Sequence, residues 1–303
     1  MSLCRLYRTA LEKVSEGPLY PTHEKKVARR FYPFAMLEVN IATMCLIIFA
    51  YQSDPRFPLV VAANRDELYT RPSAQADLWT DENSRVELLS GRDLLAGGTW
   101  LGVTQQGRFA AVTNIRDPSL TEPKPRSRGD LTRQFLAGDA TPEQYCAQLS
   151  QNYEQFAGYN LLVGDRNSLF YVNNQEEKVW KLEAGYYGLS NGLLNTSWPK
   201  VVQGKGRLRS LIESPEEITT DALIRMMADR TPAVDADLPN TGIEIKLERN
   251  LSSAFILNPQ RNYGTLCSTA VIFERAGKIR FSEQNFNSNG HKTQGHSFQL
   301  PAS

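Results

Sequence analysis

Two apolar, β-branched runs set the pattern of the chain: Met44-Cys45-Leu46-Ile47-Ile48-Phe49 and Pro58-Leu59-Val60-Val61-Ala62-Ala63, the second continuing into Asn64-Arg65-Asp66-Glu67. Turn residues between Gln52 and Phe57 separate them, so they predict a β-hairpin. Cys45 stands at the head of one strand and Asp66 at the foot of the other, which makes them near neighbours. The pattern then turns polar from Leu68 to Arg92, with scattered aliphatics, and reads as a long excursion over the surface. A second hairpin follows, from Gly97 to Thr104 and from Arg108 to Asn114 around a Gln105-Gln106-Gly107 turn. Its small residues Gly102, Ala110 and Ala111 suit close approach of another layer.

Helical spacing takes over after a proline-rich loop from Arg116 to Arg128. Gly129 to Leu136 predicts a short helix. Thr141-Pro142-Glu143 is an N-cap with proline at the first helical position, leading to Tyr145, Leu149, Tyr153 and Phe156, a stripe read as core. Three short strands follow at residues 159–164, 169–172 and 179–182, and Ser190-Asn191-Gly192 reads as a turn. Helices are predicted over Pro199–Ile212, with Lys200, Lys205, Arg207 and Arg209 on a solvated basic side, and over Thr220–Ala228. Residues 229–250 read as loop. The last strands fall at 254–257, 267–273 and 278–281, and the polar stretch 287–303 is expected to be a disordered tail. Strands, helices, strands, helices, strands is an order that suits an α+β fold, two mainly antiparallel sheets sandwiched between helices.

Charge and cysteine usage narrow the function classes. The 303 residues carry 34 basic and 33 acidic side chains, for a formal charge of +1. That balance, without a basic stripe of interleaved aromatics, points away from nucleic acid. No apolar run reaches the eighteen or more residues of a membrane span. Four scattered cysteines, Cys4, Cys45, Cys146 and Cys267, form no disulfide framework and no C-x-x-C pair, so a reducing, cytoplasmic setting is expected. Cys146 and Cys267 read as buried, inert thiols. The histidines are His23, His291 and His296, leaving none between residues 24 and 290. Ser-His-Asp and Cys-His catalysis, and histidine-based zinc sites, are therefore not expected of the core.

A cysteine directly after methionine allows a different chemistry. Removal of an initiator Met44 leaves Cys45 as the N-terminus, with nucleophile and base in one residue. Its α-amino group, with a pKa of about 7.7 to 8.0, can accept the proton of a thiol whose reference pKa is about 8.5. The expectation is that residues 1–43 are an extension outside the mature protein. They carry seven Lys/Arg and four Asp/Glu and lack the apolar core of a signal peptide. The competing reading makes Cys45 a small buried strand residue.

Met44-Cys45-Leu46-Ile47, Ala63-Asn64-Arg65-Asp66-Glu67, Gly97-Gly98-Thr99-Trp100-Leu101-Gly102, Thr113-Asn114, Gly188-Leu189-Ser190-Asn191 and Tyr263-Gly264-Thr265, in that order, resemble the NRDE family, also called the transport and Golgi organisation protein 2 family. The resemblance covers residues 44–286 and implies Met44 as the usual first residue. More distantly, the layout is similar to the cysteine N-terminal-nucleophile hydrolases of the bile salt hydrolase and penicillin V acylase type. That likeness implies a four-layer αββα sandwich and a C–N (amide) hydrolase. It maps the nucleophile to Cys45, its carboxylate partner to Asp66 and the oxyanion donors to Asn114 and Asn191.

Asn64 and Arg65 are candidate substrate contacts, although Asn64 and Glu67 also suit holding the loop together; Arg65, Arg71 and Arg116 are candidate anion contacts. The hydrolase pattern has arginines where this chain has Ala63 and Leu266. No cofactor is needed for hydrolysis. The family resemblance also implies an alternative, a non-enzymatic haem-trafficking protein with haem as cargo. The expected partner is thus a small molecule, an acyl amide or haem.

Overall fold

Alternation along the first hairpin decides the architecture. Ile47, Phe49, Val61 and Ala63 enter one buried apolar cluster, while Leu46, Ile48, Val60 and Ala62 enter another. A hairpin apolar on both faces has to be covered twice, by a second sheet on one side and by helices on the other. The computed structural model, which describes residues 44–116 and 123–302, has this arrangement. The expectation for residues 1–43 lies outside the described residues.

The chain runs through β1 (Met44–Asp54), β2 (Phe57–Leu68), β3 (Ser73–Thr80), β4 (Glu87–Asp93), β5 (Leu101–Val103) and β6 (Phe109–Asn114). Helices α1 (Arg128–Ala137) and α2 (Pro142–Leu149) come next, then β7 (Tyr159–Gly164), β8 (Leu169–Asn173), β9 (Lys178–Lys181) and β10 (Gly185–Leu189). Helices α3 (Pro199–Glu213), α4 (Thr220–Met226) and α5 (Ile245–Asn250) precede β11 (Leu257–Asn258), β12 (Tyr263–Phe273), β13 (Ile279–Phe286) and β14 (Lys292–Leu300). One sheet has the order β10-β1-β2-β12-β13-β14, with β11 on β12; the other is β3-β4-β5-β6-β7-β8-β9. All their pairings are antiparallel.

Three apolar clusters fill the gaps between four layers. Phe49, Val61, Phe109, Leu162 and Val271 meet between the sheets. Leu131, Phe135, Tyr145 and Leu149 of α1 and α2 cover the second sheet, and Val201, Leu208, Ile212 and Leu223 of α3 and α4 cover the first. The α+β sandwich of two antiparallel sheets between helices is therefore the observed fold. The predicted capping of α2 is also present: Thr141 and Gln144 bond reciprocally, with Pro142 inside the start.

Several local expectations are corrected. The stretch from Leu68 to Arg92 is no surface excursion, because it holds the hairpin β3–β4 at one edge of the second sheet. Its apolar signal is weak because β3 buries only Ala76 fully, while β4 buries Leu88, Leu89 and Ser90. The tail is no disordered segment either. β14 pairs with β13 from Ile279↔Leu300 to Phe286↔Lys292, Leu300 enters the core between the sheets with Phe298 packed against it, and Phe298 meets Phe281 edge-on at 6.3 Å. An edge strand with one solvated face can be polar in composition and still pair fully. Residues 229–250 contain α5, and Gly185–Leu189 forms β10 beside β1 before the Ser190-Asn191-Gly192 turn. Among the described residues no helix is long and apolar enough to cross a membrane.

Candidate functional site

Register places the chemistry at the start of β1. Cys45 lies opposite Arg65 and Met44 opposite Asp66. Directly paired residues share a face, and successive residues alternate. Cys45 and Arg65 therefore face the second sheet, while Met44 and Asp66 face the α3–α5 side. The main chain of residues 44 and 45 passes between the thiol and the Asp66 carboxylate.

Cys45 is the least buried of the three described cysteines. Burial pushes its thiol up to about 12, the Asp66 charge pushes the same way, and a hydrogen bond from the Asp66 backbone offsets part of the rise. In a chain that retains Met44, this sulfur is a thiol at neutral pH. Asp66 Oδ1 accepts from Thr265 Oγ1 at 2.6 Å. Its other oxygen, Oδ2, is buried and has no hydrogen-bond partner among the described residues. Burial raises the Asp66 pKa, and the charge of Lys200 acts against the rise.

Lys200 is a correction at the site. The basic-side reading of α3 holds for Arg207 and Arg209, which are exposed, whereas Lys200 is 4% exposed. Its Nζ donates to the Leu251 carbonyl at 2.9 Å. Burial lowers its pKa and the Asp66 charge supports its protonation, so each of the two groups favours the charged form of the other. Asn64 is engaged within the fold. Its amide donates to the carbonyls of Met227 at 2.9 Å and Ala254 at 2.8 Å, and its Oδ1 accepts from Ser268 Oγ at 2.6 Å. It ties β2 and β12 to the α4 side, which is the holding role that the sequence also allowed for it.

Met44 packs with Leu247, Leu251, Ile256 and Tyr263. Its backbone N–H donates to Tyr263 Oη and its Sδ accepts from Arg116 Nη2 at 2.7 Å. On the opposite side of the strand, a cavity of 290 Å³ opens in front of Cys45 and is lined by Arg65, Trp100, Asn114, Arg126 and Arg128 among others. Asn114 reaches it from the end of β6. Asn191 lies behind: its amide donates to the Asn114 carbonyl at 2.8 Å. Ser190 Oγ donates to the Cys45 carbonyl at 2.9 Å, and Thr113 Oγ1 to the Ser190 carbonyl at 2.6 Å. The paired motifs Thr113-Asn114 and Ser190-Asn191 thus hold β6 against the head of β1.

The candidate anion contacts read from the sequence are engaged within the protein. Arg65 lies 4.3 Å over the Trp100 ring, donates to Ser73 Oγ at 2.9 Å and stands 3.8 Å from Glu67. Arg71 pairs with Asp93 at 2.7 Å, and Arg116 with Glu248 at 3.0 Å. Arg65 and Arg71 still line the cavity, as Arg126 and Arg128 do. Those last two were not singled out in the sequence, where they stand in a polar, proline-rich loop. Among the described residues no cluster of three or more His, Cys, Asp or Glu side chains could hold a metal ion.

Gly98, next to the cavity-wall residue Thr99, is there for space. A Cβ on Gly98 would lie 2.4 Å from the Gly129 carbonyl carbon, where Thr99 N–H donates to the Gly129 carbonyl at 3.2 Å. Backbone cannot swing aside as a side chain can, so Gly98→Ala is expected to cost about 1–3 kcal/mol or more. Thermal melting reads this directly; an unchanged midpoint would mean that α1 can move away from the wall freely.

Two antiparallel sheets between helical layers, with a cysteine at the head of a central strand facing a cavity between them, define the class first: a four-layer α+β sandwich. The sequence matches the Transport and Golgi organisation 2 family over residues 44–288, and the chain belongs to that family. It is similar to the Transport and Golgi organization 2 homolog of Mus musculus, 34% identical over 264 residues covering 80% of this chain and 93% of that protein. The Homo sapiens homolog is 34% identical over 262 residues, with the same coverage of 80% and 93%. The Drosophila melanogaster protein is 23% identical over 264 residues, covering 80% and 92%.

Among solved structures it is similar to the Caenorhabditis elegans ortholog of N-acylethanolamine-hydrolyzing acid amidase, with a TM-score of 0.46, 11% identity, and coverage of 75% of this chain and 92% of that one. A mutant conjugated bile acid hydrolase from Clostridium perfringens gives a TM-score of 0.42, 10% identity, and coverage of 84% and 92%.

Proposed function

We propose that the chain is an N-terminal-nucleophile hydrolase of acyl amides, with Cys45 as nucleophile once Met44 is removed. The observation that carries this reading is the buried Oδ2 of Asp66, which has no hydrogen-bond partner among the described residues and lies opposite Met44 in the β1–β2 register. A buried acceptor left without a donor costs about 1–3 kcal/mol. An α-ammonium on Cys45, at the point where the chain passes between thiol and carboxylate, is the donor it lacks.

In this mechanism the Cys45 thiol loses its proton to the neutral α-amine, and Sγ attacks the acyl carbonyl to form a C–S bond. Asp66, fixed by Thr265, stabilises the ammonium that results. Asn114 donates to the oxyanion of the tetrahedral intermediate, with Asn191 positioning it through its carbonyl. Collapse breaks the C–N bond, and the ammonium returns its proton to the leaving amine. Water, with the amine again as base, then cleaves the thioester. Lys200 lends Asp66 a positive charge from the far side of the sheet.

Haem as cargo suits this cavity less, because eight of its lining residues are charged and its volume is 290 Å³. A flat macrocycle needs broad apolar walls. The test is the intact mass of a chain beginning at Cys45 after mixing with a panel of activated acyl amides. A covalent acyl adduct on Cys45 is expected, with no Soret shift on hemin titration. No adduct across the panel, together with a Soret shift and haem transfer to an apo-acceptor, would replace hydrolysis with carriage.

A further inference from the structure

The cavity in front of Cys45 is lined by five cationic residues, Arg65, Arg71, Lys124, Arg126 and Arg128, and by the acidic residues Glu67 and Asp93, with Asp66 bordering it from β2 while its carboxylate faces the helix side. The cations are not equivalent. Arg65 and Arg71 meet Glu67, and Arg71 also holds Asp93. Arg126 and Arg128 meet no carboxylate among the described residues. Arg126 places its guanidinium 4.7 Å over the Phe156 ring, and Arg128 spends one N–H on the Gly158 carbonyl at 3.2 Å. A guanidinium carries five N–H donors. Stacking occupies its face and leaves its edge, so both arginines keep donors in the fork geometry that matches a carboxylate.

The cost of this arrangement is visible. Burial lowers the Arg128 pKa to about 10, and the charges of Cys45, when ionised, and of Glu67 act against the fall. Two cations that share a cavity wall, are partly withdrawn from water and pair with no carboxylate among the described residues are held at a cost that a bound anion would remove.

We infer that Arg126 and Arg128 form an anion-binding subsite of the Cys45 cavity, and that the ligand taken there is an acyl amide bearing a carboxylate. The subsite stands on the arginines alone; that its ligand is cleaved rests on the hydrolase reading above. It also bears on the two departures from the hydrolase pattern. Ala63 and Leu266 supply no guanidinium from the first sheet, and the cations nearest in kind come instead from the segment that leads into α1 on the second.

The probe is glutaric acid monoanilide against its neutral methyl ester. Binding is measured by calorimetry to the Cys45→Ala full-length chain, which cannot turn either over. The acid is expected to bind about tenfold or more tightly than the ester, the gain of a charge-assisted bidentate contact. Arg126→Gln and Arg128→Gln should each remove most of that preference and leave ester affinity unchanged. Arg126→Gln carries the test if loss of the Gly158 contact unfolds the Arg128 variant, since among the described residues the Arg126 side chain is held by stacking on Phe156 alone. Equal affinities for acid and ester, or equal losses for both in the Arg126 variant, would overturn the subsite. Selective binding of the acid with no cleavage by a chain beginning at Cys45 would keep the subsite and sink hydrolysis; equal cleavage of acid and ester without selective binding would do the reverse.

Discussion

Cys45→Ala in a chain that begins at residue 45 is expected to lower amide turnover by on the order of a thousandfold or more, the scale at which loss of a covalent nucleophile appears. Retention of Met44 should have an effect as large. In that chain the nitrogen of Cys45 is an amide and cannot act as a base, and burial keeps the sulfur protonated, with its pKa at about 12. Both halves of the nucleophile are thus disabled by one peptide bond. The measurement is kcat for the same anilide with three chains: one starting at Cys45, one starting at Met44 and one with Cys45→Ala. Equal rates for the first two would remove the α-amine from the mechanism. A rate unaffected by Cys45→Ala would remove the thiol.

Arg116→Ala is expected to destabilise the folded protein by about 3–5 kcal/mol, the cost of leaving one partner of a buried ion pair alone. The Arg116 and Glu248 side chains are 4% and 3% exposed and lie 3.0 Å apart. Glu248 is also held by Thr241, through its backbone N–H at 3.0 Å and its hydroxyl. Arg116 in turn lies 5.5 Å over Trp198 and donates to Met44 Sδ. The double substitution Arg116→Met with Glu248→Gln should recover most of the loss, because no unpaired charge remains buried. Urea unfolding of the three proteins decides it. A loss below about 1 kcal/mol for the single substitution would mean that water reaches Glu248 and that the pair behaves as a surface one.

The sequence carried much of this site and little of its electrostatics. The hairpin was legible because β1 and β2 are apolar on both faces, and that put Cys45 near Asp66. Strand parity left open which face each would take; register assigns the thiol to the cavity and the carboxylate to the helix side. Helices α1 to α4 were readable from caps and spacing. β3 and β14 were not, because an edge strand with one wet face has a polar composition. Asn64 looked chemical from its neighbours in sequence, yet its three hydrogen bonds all run to residues more than a hundred and fifty positions away. The same holds for the arginines. Whether a guanidinium is spent depends on where a carboxylate arrives in space, so Arg65, Arg71 and Arg116 could not be told from Arg126 and Arg128 along the chain.

Met44 is 1% exposed and pairs with Asp66 of β2, at the head of a strand whose pairing with β10 begins at Ile47. An aminopeptidase must draw an extended terminus into its own cleft, and a residue buried between Tyr263 and Arg116 and paired with Asp66 cannot be drawn out without opening the head of the β1–β2 hairpin. On the hydrolase reading proposed above, whether Met44 is kept or removed is therefore a matter of timing. On that reading, trimming to Cys45 would have to precede closure of the sandwich, while the segment is still unfolded. A molecule that folds with Met44 in place is committed to that form for the life of its native state.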